Sequence, residues 1–221
     1  MPSALDRPTE NGGNMRDEHP IFSKYSKLDT ALTSVRRNLL REVGKLTPEE
    51  LDRVIEDSVA SRLMELAPSG VTAEFPKRFA KVREEPDGRS AHGPFITVVY
   101  HIPVSGNLDL LGYMPSDTPG ELSLGATWVG TPDESRNQAY PTYKEGHILY
   151  ELPADMDSEK HRACAASASS EIETLVESLN AEVQAFRPSL DSAVRSALAE
   201  RRDRTGRTAT TLGSLDVPIQ D

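Results

Sequence analysis

"IETLVESLNAEVQAFRPSLDSAVRSALAERRDR", residues 172–204, decides how the chain is built, because apolar residues recur in it at helical spacing and a proline interrupts it once. Ile172, Val176, Leu179, Val183 and Phe186 alternate steps of four and three, the period of one buried helix face. Pro188 has no N–H to donate, and its ring displaces the carbonyl four residues back, so it predicts a break or kink. Ser189 can cap a fresh helix that carries Leu190, Ala193, Val194, Ala197 and Leu198 on one face. The expectation is two C-terminal helices. The first starts from a cap at Asp157 or Ser158 and the second ends near Gly206.

Upstream, the chain changes period. "FITVVYHIPV" (95–104) is rich in β-branched and aromatic residues and reads as a strand buried on both faces for part of its length. "NLDLLGYMP" (107–115), "GELSLGATWVG" (120–130) and "GHILYELPAD" (146–155) are three more short extended pieces bounded by turn residues, with a polar loop at 131–145. "FPKRFAKV" (75–82) is ambiguous. Further back, "LDTALTSVRRNLLREVGKL" (28–46) and "TPEELDRVIEDSVASRLMEL" (47–66) are two amphipathic helices. Thr47 is a cap for the second, Pro48 sits at its first position, and Glu50 closes a capping box. Leu51, Val54, Ile55, Val59, Leu63 and Leu66 form its expected buried face, and the short join predicts an antiparallel hairpin.

These segments predict an α+β fold with a helical hairpin, an antiparallel sheet of about four strands and two C-terminal helices. The long helix packs across the sheet or against the hairpin. Residues 21–208 form the single domain, 1–20 read as a flexible N-terminal tail, and 209–221 as an extended C-terminal tail.

Composition narrows the function. The 221 residues carry a formal net charge of -10, which argues against nucleic acid as a partner, since phosphate contacts need a basic face. No stretch approaches the length of an apolar membrane span, and the N-terminus lacks a signal-peptide core. A single cysteine, Cys164, fits a reducing compartment, hence the cytoplasm. Charge is uneven: residues 106–157 balance at -7, while 195–207 hold five arginines and balance at +3. Middle and tail are expected to attract each other.

The phosphate-binding loop, dinucleotide turn, nucleophile elbow and zinc-ligand spacings are all missing, so no catalytic residue, cofactor or metal is expected. Cys164 lies in a run of small residues that suits close helix packing, and Trp128 reads as a core anchor. His101 and His147 lie on strands that a sheet can bring together. With Tyr140 and Tyr143 they are candidates to line a pocket between the sheet and the 131–145 loop. Arg195, Arg201, Arg202, Arg204 and Arg207 either complement a helix C-terminus or bind a phosphate or an acidic partner.

The order of strand, turn and helix resembles a little-characterised bacterial N-terminal module that precedes Toll/interleukin-receptor or nuclease effectors in conflict and signalling proteins. Pro103, Gly106, Leu108, Leu111, Pro115, Ser116, Asn180, Pro188, Arg201, Arg202, Leu212, Gly213 and Pro218 carry the resemblance, which spans roughly residues 20–219. It implies a sensing, docking or assembly role with no catalytic residues. The leading expectation is a non-enzymatic interaction or regulatory module, for docking or oligomerisation, of a bacterial defence or signalling system. It would take a protein partner or a second copy of itself. The alternative is a small-molecule or nucleotide sensor, or an enzyme, built on the pocket beside the 131–145 loop.

Overall fold

Pro188 lies inside a helix instead of ending one. The computed structural model describes residues 19–53, 56–75, 78–85, 95–118, 125–132 and 143–214, and one 56-residue helix, Ser158–Gly213, runs through the proline. This corrects the expectation of two C-terminal helices and of an extended tail from residue 209. Residues 215–221 of that tail lie outside the described residues. An interior proline costs about 3 kcal/mol. The apolar stripe offsets it because its phase never slips: Leu179 and Val183 before the proline and Leu190, Val194 and Leu198 after it are all buried. Each such side chain contributes about 1.5–3 kcal/mol when buried, so a break that turned either half away would cost more than the proline does.

In chain order the elements are β1 (His19–Pro20), β2 (Ser23–Lys27), α1 (Leu28–Lys45), α2 (Pro48–Arg53), α3 (Glu56–Met64), β3 (Val71–Ala73), β4 (Phe79–Glu85) and β5 (Phe95–Gly106). A 3-10 turn (Leu108–Gly112) follows, then β6 (Tyr113–Met114), β7 (Ala126–Pro132), β8 (Tyr143–Pro153) and α4 (Ser158–Gly213). The folded chain thus already includes His19 and Pro20, which pair with β7 and move the expected tail boundary at residue 20.

The main sheet has six antiparallel strands instead of about four, in the order β1-β7-β8-β5, with β3 and β4 sharing the far edge of β5. β3 pairs with the end of β5 and β4 with its first half. "NLDLLGYMP" contributes no strand to this sheet. Leu108, Leu110 and Leu111 are all buried, which strict alternation cannot achieve, and the segment coils into the 3-10 turn. Its last residues, β6, pair in parallel with β2.

α4 joins two apolar clusters. Ala168, Ile172, Leu175, Val176, Leu179 and Val183 pack on one sheet face against Ile102, Val104, Trp128, Ile148 and Tyr150. Leu190, Val194 and Leu198 pack against Leu39, Val43 and Leu46 of the α1 end and against Leu51, Val59 and Leu63. Phe186 touches both clusters, so the helix covers the sheet and α1–α3 together; the expected two-helix hairpin is corrected, since segment 47–66 holds two helices, α2 and α3, and α1, α2 and α3 each pack chiefly on α4. The capping box forms as the sequence predicts: Glu50 Oε2 accepts from the Thr47 N–H at 2.8 Å, and Thr47 Oγ1 accepts from the Glu50 N–H at 3.3 Å. Those bonds to Thr47 hold the Glu50 carboxyl below its ordinary pKa. Leu66 leaves the expected buried face and is 57% exposed, just beyond the end of α3, while Val54 and Ile55 lie outside the described residues.

Side chains of α4 fasten this arrangement. Asn180 accepts from the Val71 N–H at 2.8 Å through Oδ1 and donates to the Val71 carbonyl at 2.6 Å through Nδ2, which occupies the edge of β3 that β5 does not use. Two glycines let the chain turn there. Gly70 (φ +95) approaches Asn180, and a Cβ on Gly106 (φ +106) would stand 2.5 Å from the Gly70 carbonyl oxygen. On another side of the helix, Glu182 accepts from the Ser116 hydroxyl at 2.6 Å and the Ser116 N–H at 2.9 Å.

Candidate functional site

Only one face of the sheet meets α4. Alternation puts Val99, His101, Pro103 and Ser105 of β5 on the other face, beside Glu145, His147, Leu149 and Glu151 of β8 and Thr127 and Val129 of β7. Val99, Val129 and Leu149 form a small buried apolar cluster there. The register sets His101 opposite Leu149 and His147 opposite Pro103, so the two histidines are diagonal neighbours. Their ring centroids are 5.6 Å apart at an interplanar angle of 80°.

Phe79 of β4 faces His101 across the ladder and completes a trio of rings. It stacks on His101 with centroids 4.7 Å apart and meets His147 edge-on at 5.7 Å. Phe79 is 41% exposed, and Lys81 Nζ lies 5.6 Å from its centroid. Farther along, Arg83 and Glu151 pair across β5, since Arg83 faces Thr97 and Glu151 faces Val99. Nothing in the sequence singled out Phe79, because its segment lacks a core-facing alternation.

Next to His147 the same face opens into a cleft of about 490 Å³ lined by Glu74, Pro103, Ser105, Val129, Glu145 and His147. The Glu74 N–H donates to the Pro103 carbonyl at 2.9 Å, which holds the chain beyond β3 against β5. The cleft lies at the β7 and β8 ends that flank segment 131–145, of which residues 133–142 lie outside the described residues. Its two carboxylates, however, oppose a phosphate-bearing ligand.

The remaining candidates go elsewhere. Tyr143 packs edge-on against Trp128 with centroids 5.0 Å apart and near His19 at 5.8 Å, on the core cluster and not in the cleft. Tyr140 lies outside the described residues. The arginines belong to the helical half. Arg201 donates to the Leu46 carbonyl at 3.1 Å (Nε) and 2.6 Å (Nη2), and Arg202 donates to the Leu51 carbonyl at 2.8 Å. Arg195 pairs with Asp57 and with Asp191, contacts that raise its pKa further above the ordinary arginine range. Arg187 acts in the same way on the Pro68 carbonyl at 2.8 Å. Arg204 and Arg207 are exposed. Within the molecule, then, Arg195 meets carboxylates of α3 and of α4 itself, and Arg201 and Arg202 reach backbone carbonyls near the ends of α1 and α2, where such acceptors lack helical partners.

A second polar chain lies under the covered face. Arg78 donates to Ser169 Oγ at 2.6 Å, Ser169 lies 3.0 Å from the Tyr150 hydroxyl, and that hydroxyl donates to the Ala165 carbonyl at 3.2 Å. With its proton directed at Ala165, Tyr150 accepts from Ser169, so both hydroxyls donate as well as accept. Burial raises the Tyr150 pKa above its ordinary value. Tyr100 stacks on Tyr150 at 4.8 Å, and its hydroxyl lies 3.2 Å from His161 Nδ1.

Among the described residues no three His, Cys, Asp or Glu side chains converge as a metal cluster, and no helix is long and apolar enough to cross a membrane. No protein-family model, curated protein or solved structure matches the chain.

Proposed function

We propose that the protein is a non-enzymatic docking or oligomerisation module that presents the uncovered face of its sheet to a protein partner or a second copy of itself. The observation that carries this reading is the ring trio of exposed Phe79 and half-buried His101 and His147, beside the buried cluster of Val99, Val129 and Leu149. The engagement of Arg195, Arg201 and Arg202 inside the molecule favours a role for the sheet over one for the arginine patch. The resemblance to bacterial conflict modules suggests the setting, a defence or signalling system.

A small-molecule sensor is the second reading, favoured by the cleft beside His147. Its Glu74 and Glu145 suit a cationic ligand better than a nucleotide. Native mass spectrometry of the protein, recovered gently from the cells that make it, separates the two readings when wild type and Phe79→Glu are compared. Docking predicts a homo-oligomer or a stoichiometric protein complex that Phe79→Glu loses. A monomer for both proteins refutes docking, and a monomer with a few hundred daltons of extra mass selects the sensor.

A further inference from the structure

We infer that two copies of the chain join edge to edge through β4, antiparallel across a two-fold axis, so that the main sheet runs on from one copy into the other. The inference rests on the oligomerisation arm of the proposed function and names its partner and its contact. The other edge strands, β1 and β3, are guarded. β1 is only two residues long and ends in Pro20, and Asn180 occupies the outer edge of β3. β4 has neither device: its seven residues pair with β5 without a register shift, none is a proline, and among the described residues β4 pairs with no other strand. Such an edge offers its outward N–H and C=O groups to a further strand.

Apolar exposure and charge both fit a second copy. On the face that α4 covers farther along β5, over Ile102 and Val104, Val82 of β4 is 72% exposed, and Ile96, diagonal to it on β5, is 43% exposed. A two-fold axis at the edge brings these margins of the two copies together. β4 reads Phe-Ala-Lys-Val-Arg-Glu-Glu, basic before acidic, so an antiparallel copy lays the basic part of one strand against the acidic part of the other. An axis normal to the sheet keeps like faces together, which sets odd residues opposite odd ones. Centring it on Lys81 opposes two lysines, and centring it on Val82 opposes Lys81 to Arg83. Centred on Arg83, it sets Lys81 opposite position 85, a glutamate, once on each side of the axis. Arg83 then meets its own copy, but each Arg83 is already paired with Glu151 of its own chain. The charges thus select one register.

The test is light scattering of the full chain over a concentration series, for wild type, Lys81→Glu, Glu85→Lys and an equimolar mixture of the two variants. Wild type is expected to dimerise. Each single variant turns both attractive pairs repulsive and raises the dimer Kd by about 5-fold or more. The mixture restores wild-type association, because both positions then oppose unlike charges again. Wild-type Kd in either variant, or a mixture that associates no more tightly than the variants alone, overturns the edge contact. Where a variant fails to fold, hydrogen exchange of the wild type decides. Amides of 79–85 that gain protection as concentration rises support the contact, and exchange independent of concentration overturns it. A homodimer that both charge variants leave intact, or a complex with another protein alone, overturns only the edge and keeps docking through the sheet face. A wild type that stays monomeric and takes no protein partner overturns both.

Discussion

Replacing Asn180 with alanine should destabilise the protein by about 2–4 kcal/mol. The side chain makes two hydrogen bonds to Val71, one to its N–H and one from Asn180 Nδ2 to its carbonyl, and among the described residues no other strand reaches that edge of β3. A partly buried backbone group left unpaired costs about 1–2 kcal/mol, toward the lower end of the usual range, and here two are left. At this chain length each kcal/mol moves Tm by about 2–4 °C, so the expected loss is about 4–16 °C. Urea and thermal unfolding followed by circular dichroism measure it. A coupled substitution sharpens the reasoning. A Cβ at Gly70 would stand 2.7 Å from Asn180 Oδ1, at a backbone φ of +95 that disfavours alanine in any case. Gly70→Ala made alone suffers both penalties, but in the Asn180→Ala background only the backbone strain remains. The double variant should therefore be more stable than the sum of the singles implies, by more than about 0.5 kcal/mol. A loss below about 0.5 kcal/mol for Asn180→Ala, or strict additivity of the pair, would refute this account of the β3 edge.

Arg201→Ala strips the Leu46 carbonyl of its charged donor and should cost about 1.5–3 kcal/mol in urea denaturation, whereas Arg204→Ala should stay within about 0.5 kcal/mol of wild type. Equal effects would return the arginines to a shared surface role. Tyr150→Phe removes the hydroxyl that bonds Ala165 and Ser169 and should cost about 1–3 kcal/mol at neutral pH. Because the folded-state pKa of Tyr150 is raised, the unfolded chain loses the phenolic proton first. Stability falls as pH rises past the ordinary tyrosine value near 10, and the phenylalanine variant should show a shallower alkaline decline in the same melts.

Local chemistry was legible in the sequence where partners lie close along the chain. Thr47, Pro48 and Glu50 announce their own helix start, and the β-branched run at 95–104 announces β5. The approach of His101 to His147 follows from placing two strands side by side, although only the register shows that they are diagonal. Pro188 misleads because its cost is local while the compensation comes from Leu190, Val194 and Leu198 packing on distant helices. The uninterrupted phase of the stripe was the available signal. β4 escapes notice because an edge strand pairs on one side only and need not alternate: Phe79, Ala80, Lys81 and Val82 are all exposed. Counting charges suits Arg195, which pairs with Asp57 and Asp191, but Arg201 and Arg202 bind neutral carbonyls, which no charge count reveals.

α4 follows every other described element in chain order, and this matters for synthesis. Its bonds reach back 109 residues from Asn180 to Val71, 119 from Arg187 to Pro68 and 155 from Arg201 to Leu46. A nascent chain leaving the ribosome completes every described strand and α1–α3 before the helix that covers them exists. Until then Ile102, Trp128 and Ile148 on one side, and Leu39 and Val43 on the other, have no lid. Such long-range closure slows folding and leaves apolar surface open to other nascent chains. The 56 residues of α4 thus act as the fold's own chaperone, and a polysome making this protein carries its stickiest species just before they emerge.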